Sequence, residues 1–329
     1  MSKVRVGVVR GGPSSEYAVS LKTGENVLRH LNKEKYITHD ILMTTRGEWY
    51  MDGVKSDLST IDHNVDVIWN AMHGTFGEDG KVQQHFESYG IPYTGSNVLA
   101  SAIGMHKGLA KDRFVEAGIL VPYGEVIPGS ENMFEVAFEL FRNRHMPVIV
   151  KPVSGGSSIA TRIVRTYDEL RSALVEASKY GDVLVEDFVE GKVATVCVVD
   201  STKTGEYFVL YPIEIVPPEK SAFFDYDAKY SGKSAEIVPG RFTLTIHSML
   251  RDLAIKAHKA IGARHYSRSD FIITPEGAIY LLEINTLPGL TEESLLPKAL
   301  KAGHVDFSDF LDHVISLAMK RKQAVPATS

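Results

Sequence analysis

Apolar and polar positions alternate along the chain in a way that predicts short strands separated by amphipathic helices. Apolar runs of about four to eight residues are typical of strands, and an apolar repeat of about 3.6 residues is typical of helices. The pattern predicts strands at residues 4–9, 65–70, 146–151, 183–186, 195–200, 206–212, 267–273 and 279–285. It predicts helices at residues 19–31, 105–117, 167–179, 244–261, 290–300 and 307–319. The opening strand, glycine turn and helix indicate a doubly wound α/β domain.

The last two predicted strands flank a proline- and glycine-containing turn at 275–277, which is typical of a β-hairpin. Side chains alternate between the two faces of a strand. If Thr274 pairs with Ile279 across the turn, Asp270 lies opposite Glu283. The other face is then predicted to point into the core through Phe271, Ile273, Leu282 and Ile284.

In the same register Arg268 lies opposite Asn285, so two carboxylates, an amide and a guanidinium share one face of the hairpin. Facing carboxylates repel each other unless a cation lies between them. Oxygen ligands of this kind suit Mg²⁺, which is usually held by one or two carboxylates together with phosphate oxygens and water. A solvated hairpin face with a salt-bridged arginine is the alternative explanation for these four residues.

Length, charge and cysteine content narrow the class of protein. The 329 residues suffice for about two or three domains. The net charge is −5, from 36 basic and 41 acidic residues without a basic block, so we expect no nucleic-acid partner. Cys197 is the single cysteine, and its apolar strand favours a buried thiol over a nucleophile. The sequence contains neither a secretory signal nor a membrane-spanning apolar run, so we expect a soluble, cytoplasmic protein without a membrane partner.

Two lysine-bearing segments are candidate phosphate sites. Lys107 and Lys111 are one helical turn apart, where like charges repel mildly unless an anion binds between them. Lys151 ends a strand and leads into residues 152–158, a glycine- and serine-rich loop that can fold over phosphates. Two solvated lysines on a helix surface are the alternative explanation for the first segment.

Three further loops carry polar or aromatic side chains. The loop at 73–80 follows a buried strand and combines glycines with His, Glu and Asp, so it forms either part of a site or a capped turn. Residues 186–191 are expected to form a hinge between two lobes. The long loop at 223–232 is rich in aromatic and charged residues, which predicts a lid over a site.

Seven short segments, taken together and in order, point to one family. They are GGPSSE (11–16), HGTFGEDG (73–80), PYTGS (92–96), VKPVSGGSS (150–158), YDAKY (226–230), SRSDF (267–271) and EINTLPGLT (283–291). With these segments the chain resembles the ATP-grasp superfamily and, within it, the D-alanine–D-alanine ligases, over residues 4–319. The resemblance implies an α/β ATP-grasp fold with an N-terminal doubly wound α/β substrate domain at 1–103. Two α+β lobes at 104–187 and 188–320 would clamp ATP between them, before a tail at 321–329.

The resemblance also implies roles for individual residues in nucleotide and metal binding. ATP would be held by Lys111, Lys151, Glu186, Val189 and Lys229. Two Mg²⁺ ions (or Mn²⁺) would be bound by Asp270, Glu283 and Asn285, with Glu283 bridging them.

The implied substrate site draws on distant parts of the chain. The implied catalytic groups are Glu16, Ser157, Tyr230, Arg268 and the backbone N–H of Gly289. D-alanine would be bound by Glu16, His73, Ser294 and Leu295. In this scheme Arg268 and the Gly289 N–H stabilise an oxyanion.

The implied reaction is the ATP-dependent ligation of two D-alanines through an acyl phosphate, which supplies peptidoglycan precursors. D-alanine and ATP are the expected partners, and the analogy with relatives suggests a homodimer. The chain departs from the family pattern at Val193, where a glutamate usually binds the ribose, and also at Ala18 and His106. These departures keep two alternatives open: another ATP-grasp carboxylate–amine ligase, and a weakly active nucleotide-binding relative.

Overall fold

The computed structural model of the protein describes residues 2–156, 159–217 and 235–324. The described residues form three separate sheets, each built from one continuous stretch of the chain. The predicted lid at 223–232, which contains Lys229 and Tyr230, lies outside the described residues, and so does Ser157. Within the described ranges, no helix combines the length and the apolar character needed to cross a bilayer.

The first sheet is a doubly wound α/β layer. Its strands are β1 (Val4–Gly11), β2 (Tyr36–Met43), β3 (Trp49–Met51), β4 (Val54–Ser56) and β5 (Val67–Asn70), in the order β4-β3-β2-β1-β5. Its helices are α1 (Tyr17–His30), α2 (Leu58–Asn64), α3 (Lys81–Ser88) and α4 (Val98–Met105). Strand β1 pairs in parallel with both β2 and β5. The loops that follow β1 and β5 therefore leave the same edge of the sheet, where ligands bind in folds of this type.

The second sheet is antiparallel and packs against two helices. Its strands are β6 (Gly124–Ile127), β7 (Val148–Pro152), β8 (Arg162–Val164) and β9 (Val183–Asp187), in the order β6-β9-β7-β8. This part also contains α5 (Lys107–Glu116), α6 (Met133–Asn143) and α7 (Tyr167–Ser178). Helix α7 begins with a capping box formed by Thr166 and Glu169. Buried aliphatic side chains of α6 and α7 pack on β7 and β9, which leaves the other face of the sheet to form one wall of a cleft.

The third sheet carries the hairpin. Its strands are β10 (Lys192–Asp200), β11 (Tyr207–Val209), β12 (Ile213–Val216), β13 (Ala235–Ile237), β14 (Tyr266–Ile273) and β15 (Ile279–Asn285). Its order is β13-β12-β10-β14-β15, with β11 beside β10. Its helices are α8 (Leu244–Ala260), α9 (Leu295–Ala302) and α10 (Phe307–Ala324). Helix α10 joins the first sheet in one core through Trp69, Tyr266, Phe310 and Leu311. A doubly wound α/β part followed by two α+β lobes is the predicted architecture; the domain boundaries stay a prediction.

The predicted helix at 105–117 is confirmed as α5, which begins two residues later than predicted and follows a separate helix, α4. Helix α4 ends at Met105 and α5 begins at Lys107. Between them His106 has an extended backbone conformation, and its Nδ1 accepts the Leu109 N–H at 3.1 Å. An N-cap of this kind begins a new helix with a new direction.

Other differences arise where tertiary contacts override the local pattern. The predicted helix at 290–300 begins only at Leu295, because the preceding segment is held in a loop. The Asn26 side chain on α1 donates to the Leu290 carbonyl oxygen at 2.7 Å, and this buried contact holds that loop. Seven strands that are short or only partly buried were not predicted: β2, β3, β4, β6, β8, β12 and β13.

The hairpin register contains a bulge. We predicted that Thr274 would pair with Ile279, but Ile273 is the partner. The register then shifts before Asp270, which lies opposite Glu283 as predicted. One extra residue on β15 therefore compensates for the difference at the turn.

Because of the bulge, two leucines lie on the opposite face of the hairpin from the one predicted. Leu281 is fully buried in the core with Phe271 and Ile284. Leu282 lines the cleft beside Ile272. The prediction that Leu282 faces the core was wrong, because an extra residue reverses the alternation of side chains beyond it.

Candidate active site

The second and third sheets enclose a cleft with largely apolar walls. Its lining residues are Pro122, Ile149, Lys151, Glu186, Asp187, Phe188, Val189, Ile272 and Leu282. The second sheet contributes Ile149 and the third contributes Ile272 and Leu282, so the walls lie on opposite sides. Apolar walls with a few polar groups are typical of a site for a small molecule. The structure thus brings Lys151, Glu186 and Val189 together, as the sequence predicts.

Two lysines meet one carboxylate at the inner end of this cleft. The Nζ atoms of Lys111 on α5 and Lys151 on β7 each contact a different oxygen of Glu186 on β9. All three residues are buried. Lys111 also donates to the Pro122 carbonyl oxygen at 2.8 Å. The cluster carries one more positive than negative charge, which suits an anion such as a phosphate.

Burial and charge act in opposite directions on the pKa values in this cluster. Burial lowers the pKa of Lys111 below its ordinary value, and the Glu186 charge offsets this only in part. Burial alone would raise the pKa of Glu186, but the charges of Lys151 and Lys111 hold it below its ordinary value. The carboxylate therefore stays ionised between the two lysines.

The hairpin face presents a second charged cluster across the cleft. Arg268 forms two hydrogen bonds with Asp270, Nε to Oδ1 at 3.0 Å and a terminal nitrogen to Oδ2 at 2.9 Å. Thr195 on β10 pairs directly with Asp270 and donates its hydroxyl to the same carboxylate. Burial alone would lower the pKa of Arg268, but the Asp270 charge and hydrogen bonds raise it above its ordinary value. The sequence did not point to Thr195, since only the pairing of β10 with β14 brings it here.

The same face offers oxygen atoms for a divalent metal ion. Glu283 lies opposite Asp270, and Asn285 lies opposite Arg268, as predicted. The Asn285 Oδ1 accepts the Leu287 N–H at 2.8 Å, which fixes the amide. No group of three or more His, Cys, Asp or Glu side chains suited to a metal occurs among the described residues. The predicted set has two carboxylates and one amide oxygen, and such a set fits Mg²⁺ when phosphate oxygens and water complete it.

A further polar cluster forms where the loops after β1 and β5 meet. Ser14 donates to the His73 carbonyl oxygen at 2.6 Å and accepts the Glu16 N–H at 3.1 Å. A Cβ atom at Gly74 would lie 2.6 Å from the Glu16 Oε2, and one at Gly156 would lie 3.0 Å from it. Glycine at both positions allows this close approach without displacement of the Glu16 carboxylate. The Glu16 carboxylate therefore lies between the loop of β5 and the glycine-rich segment after β7.

His73 is held within the protein by both ring nitrogens. Its Nε2 lies 2.8 Å from the Thr23 hydroxyl, and its Nδ1 lies 3.1 Å from Glu78 Oε1. Burial raises the pKa of Glu78, and the hydrogen bond from His73 offsets this in part. Glu78 was recognisable only as one polar residue of the glycine loop, and Thr23 carried no signal, because it lies on a different helix. The prediction that His73 contacts substrate stays a prediction.

The predicted site for the second substrate lies at the start of α9. The Ser294 hydroxyl bonds to that of Thr291 at 2.8 Å and accepts the Thr291 N–H at 3.1 Å. A Cβ atom at Gly289 would lie 2.9 Å from the Ser294 Oγ, so the chain passes close to this hydroxyl. Leu295 is the first residue of α9. The N–H groups at the beginning of a helix attract a carboxylate.

Family models match most of this chain. Residues 5–64 and 54–96 match the model described as D-ala D-ala ligase N-terminus. Residues 117–316, more than half of the chain, match the model described as D-ala D-ala ligase C-terminus. The chain belongs to the D-alanine–D-alanine ligase family. The expected family and the ATP-grasp fold are both confirmed.

Individual members of this family are similar over their full length. The D-alanine–D-alanine ligase of Desulfotalea psychrophila is 37% identical, covering 98% of this chain and 97% of its own length. The ATP complex of the Bacillus anthracis D-alanine–D-alanine ligase is 30% identical with a TM-score of 0.81, covering 97% and 99%. The VanG D-Ala:D-Ser ligase of Enterococcus faecalis is 30% identical with a TM-score of 0.84, covering 96% and 100%.

Proposed function

We propose that this chain joins two D-alanines into D-alanyl-D-alanine at the expense of ATP, in the cytoplasm, as a step of peptidoglycan precursor synthesis. One observation carries the proposal. A cluster with excess positive charge, formed by Lys111, Lys151 and Glu186, faces a hairpin with oxygen donors across an apolar cleft. This pairing suits a nucleotide triphosphate with a metal ion.

In this proposal the nucleotide lies in the cleft between the two sheets. The adenine binds between the apolar walls, near Glu186 and the Val189 backbone, while Lys111 and Lys151 bind phosphate oxygens. Asp270, Glu283 and Asn285 would hold two Mg²⁺ ions (or Mn²⁺), which supply charge neutralisation at the transferred phosphoryl group. Lys229 is expected to reach the same group and lies outside the described residues.

The chain's own residues then orient two substrates. Glu16 binds the ammonium of the first D-alanine, whose carboxylate attacks the γ-phosphorus of ATP, so that an acyl phosphate forms and the bond to the leaving ADP breaks. The second D-alanine binds by its carboxylate at Ser294 and the Leu295 N–H, and its amine attacks the acyl carbon. Arg268 and the Gly289 N–H stabilise the oxyanion, and phosphate leaves. Ser157 and Tyr230, both outside the described residues, are expected to link to Glu16.

A second candidate function concerns only the second substrate. The VanG enzyme, similar over nearly the whole chain, is a D-Ala:D-Ser ligase. The same scaffold therefore accommodates a second substrate with a hydroxyl group. We propose D-alanine here and regard D-serine as the alternative that the assay must separate.

The test is phosphate release from ATP and Mg²⁺ with D-alanine, compared with L-alanine and with no amino acid, and with the product identified by mass. We expect release that depends on D-alanine and yields the dipeptide. D-serine and D-lactate are added as second substrates, and D-alanine should be preferred at neutral pH. Glu16→Gln should abolish the D-alanine-dependent release of phosphate, while ATP still binds. ATP binding without D-alanine-dependent release would refute the substrate assignment.

Light scattering of the same preparation tests the expected homodimer separately. A particle of twice the chain mass of 36.3 kDa is expected. A single-chain mass at assay concentration would contradict it without affecting the reaction.

A further inference from the structure

His265, which directly precedes β14, has a backbone conformation that few side chains adopt. Its φ is +65°, in the left-handed region that is unfavourable for residues with a Cβ atom. Asp200, at the end of β10, holds this backbone on both sides. Its N–H donates to the His265 carbonyl oxygen at 2.8 Å, and its carboxylate accepts the His265 N–H. Only 7% of His265 is exposed, so tertiary contacts fix both its backbone and the direction of its imidazole.

The imidazole of His265 contacts a segment that belongs to the first sheet and its helices. The His265 Nδ1 accepts the N–H of Gly95, in the loop between α3 and α4, at 3.0 Å. Because a backbone N–H can only donate, Nδ1 carries no proton in this contact. Beside it, the Arg264 N–H donates to the Ser96 Oγ at 3.1 Å. These two bonds connect the first sheet to the third at a buried position.

On one side, the segment around Gly95 is joined to the loop at 73–80. The Thr94 Oγ1 accepts the Asn70 N–H at 3.0 Å. The Asn70 side chain donates in turn to the Gly77 carbonyl oxygen at 3.2 Å. This loop borders the Glu16 carboxylate, so the segment is connected to the proposed site of the first D-alanine.

On its other side, Gly95 packs against the chain that follows the hairpin. A Cβ atom at Gly95 would lie 2.7 Å from the Leu287 Cδ2. Leu287 is buried, and its N–H donates to the Asn285 Oδ1 at 2.8 Å. Two residues further along, Gly289 carries the N–H that is proposed to stabilise the oxyanion. Gly95 therefore touches the part of the third sheet that leads to the proposed site of the second D-alanine.

We propose that His265 is a positioning residue, which accepts the Gly95 N–H, fixes the first sheet against the third and so sets the distance between the two bound D-alanines. The inference rests on the proposed function. In that function the two substrates bind on different sheets, and the amine of one must meet the acyl carbon of the other. A misplacement of about 1 Å in such an alignment can reduce the rate about 100-fold. Water can then attack the acyl phosphate, which releases D-alanine and phosphate and consumes ATP without forming the dipeptide.

The test compares His265→Gly with His265→Asn. Glycine adopts the left-handed conformation freely but has no acceptor, so backbone strain cannot explain its effect. Asparagine tolerates this conformation, and its Oδ1 is as many bonds from the backbone as the histidine Nδ1. We expect His265→Gly to lower kcat about 10- to 100-fold and to raise the ratio of ADP to dipeptide several-fold, with the KM for ATP changed less than about threefold. His265→Asn should keep kcat and the ratio within about threefold of the wild type.

A matched control and a second readout separate the contact from the reaction. His304→Gly is the control, because His304 also has a positive φ, +55°, but is exposed. It should leave kcat and the ratio of ADP to dipeptide unchanged. Hydrogen exchange of the Gly95 amide, measured without substrates, should be about tenfold faster in His265→Gly than in the wild type, His265→Asn or His304→Gly.

Three outcomes would overturn the positioning role in an active enzyme. One is an unchanged kcat and an unchanged ratio in His265→Gly, and a lower melting temperature alongside them would show a purely structural histidine. Another is an unchanged exchange rate of the Gly95 amide. The third is an asparagine variant that is as impaired as the glycine variant although its Gly95 amide exchanges slowly. A wild type without D-alanine-dependent activity would instead refute the proposed function, and the positioning role with it, while the exchange rates still report whether the contact forms.

Discussion

Two charged clusters face each other across the cleft, one buried and one partly buried, and they differ in the sign of their excess charge. The cluster on the second sheet has two lysines around Glu186. The cluster on the hairpin has Arg268 paired with Asp270, and Glu283 adds a second carboxylate opposite this pair. Excess positive charge therefore lies where phosphate is proposed to bind, and excess negative charge lies where metal ions are proposed to bind.

The clusters also differ in how rigid their cations are. A lysine has a flexible stem and a compact ammonium, so it can move from a carboxylate to a phosphate. Arg268 holds both oxygens of Asp270 through a planar fork, which fixes its orientation. In the proposed function, the lysines lie where the partner changes from carboxylate to phosphate, and the arginine lies where a donor must stay in one place.

The largest expected effect is on stability, in Glu186→Gln. Glutamine leaves two buried ammonium groups side by side, and removing one partner of a buried ion pair costs roughly 3–5 kcal/mol of unfolding free energy. Glu190→Gln, at an exposed position nearby, is the control and should change the unfolding free energy little. Urea denaturation measures both, and a loss equal to that of the control would contradict the importance of the cluster.

The stability of the Glu186→Gln variant is also expected to depend on pH. Glu186 raises the pKa of Lys111, so its removal lowers that pKa further below the ordinary value of 10.5. The native state then binds fewer protons than the unfolded chain, and stability rises with pH until the ordinary lysine value is reached. In the wild type, Glu186 contributes stability that is lost as pH falls through its lowered pKa. In the variant, the urea midpoint should be higher at about pH 9 than at about pH 7. Equal midpoints at the two pH values would contradict the assignment.

A smaller but selective effect is expected in Arg268→Met. Loss of a fixed donor to the oxyanion should reduce kcat about 100- to 1,000-fold, while the KM for ATP changes little. Arg241→Met is the matched control, because Arg241 also forms a two-point pair, with Glu214, on the same lobe. It should lower stability without a comparable loss of kcat. An Arg268 variant with normal kcat would refute the catalytic role.

The smallest expected effect concerns Val193. It pairs with Ile272 on the face that lines the cleft, two residues before Thr195, and valine cannot accept a hydrogen bond from ribose hydroxyl groups. Val193→Glu should increase the preference for ATP over 2′-deoxy-ATP about tenfold, as expected for one added hydrogen bond. Val193→Ile should leave the preference unchanged. A wild-type KM for 2′-deoxy-ATP far above that for ATP would contradict the idea.

The sequence by itself determined the family, many of the buried strands and of the helices, and the composition of the hairpin face. Strand periodicity is local, so Arg268 and Asp270 necessarily share a face. Glu283 lies opposite Asp270 as predicted, although a bulge is needed to bring it there. Likewise, a lysine at the end of a buried strand was enough to predict Lys151 at a polar site.

Only the tertiary structure decided which distant groups meet. The partners of His73 lie on α1 and on its own loop, Thr195 reaches Asp270 through a strand pairing, and Lys107 donates to the Gly155 carbonyl oxygen. The bulge that turns Leu282 into the cleft was equally unpredictable. Local periodicity sets the face on which a side chain lies, whereas the packing of three sheets and their helices sets what that face touches.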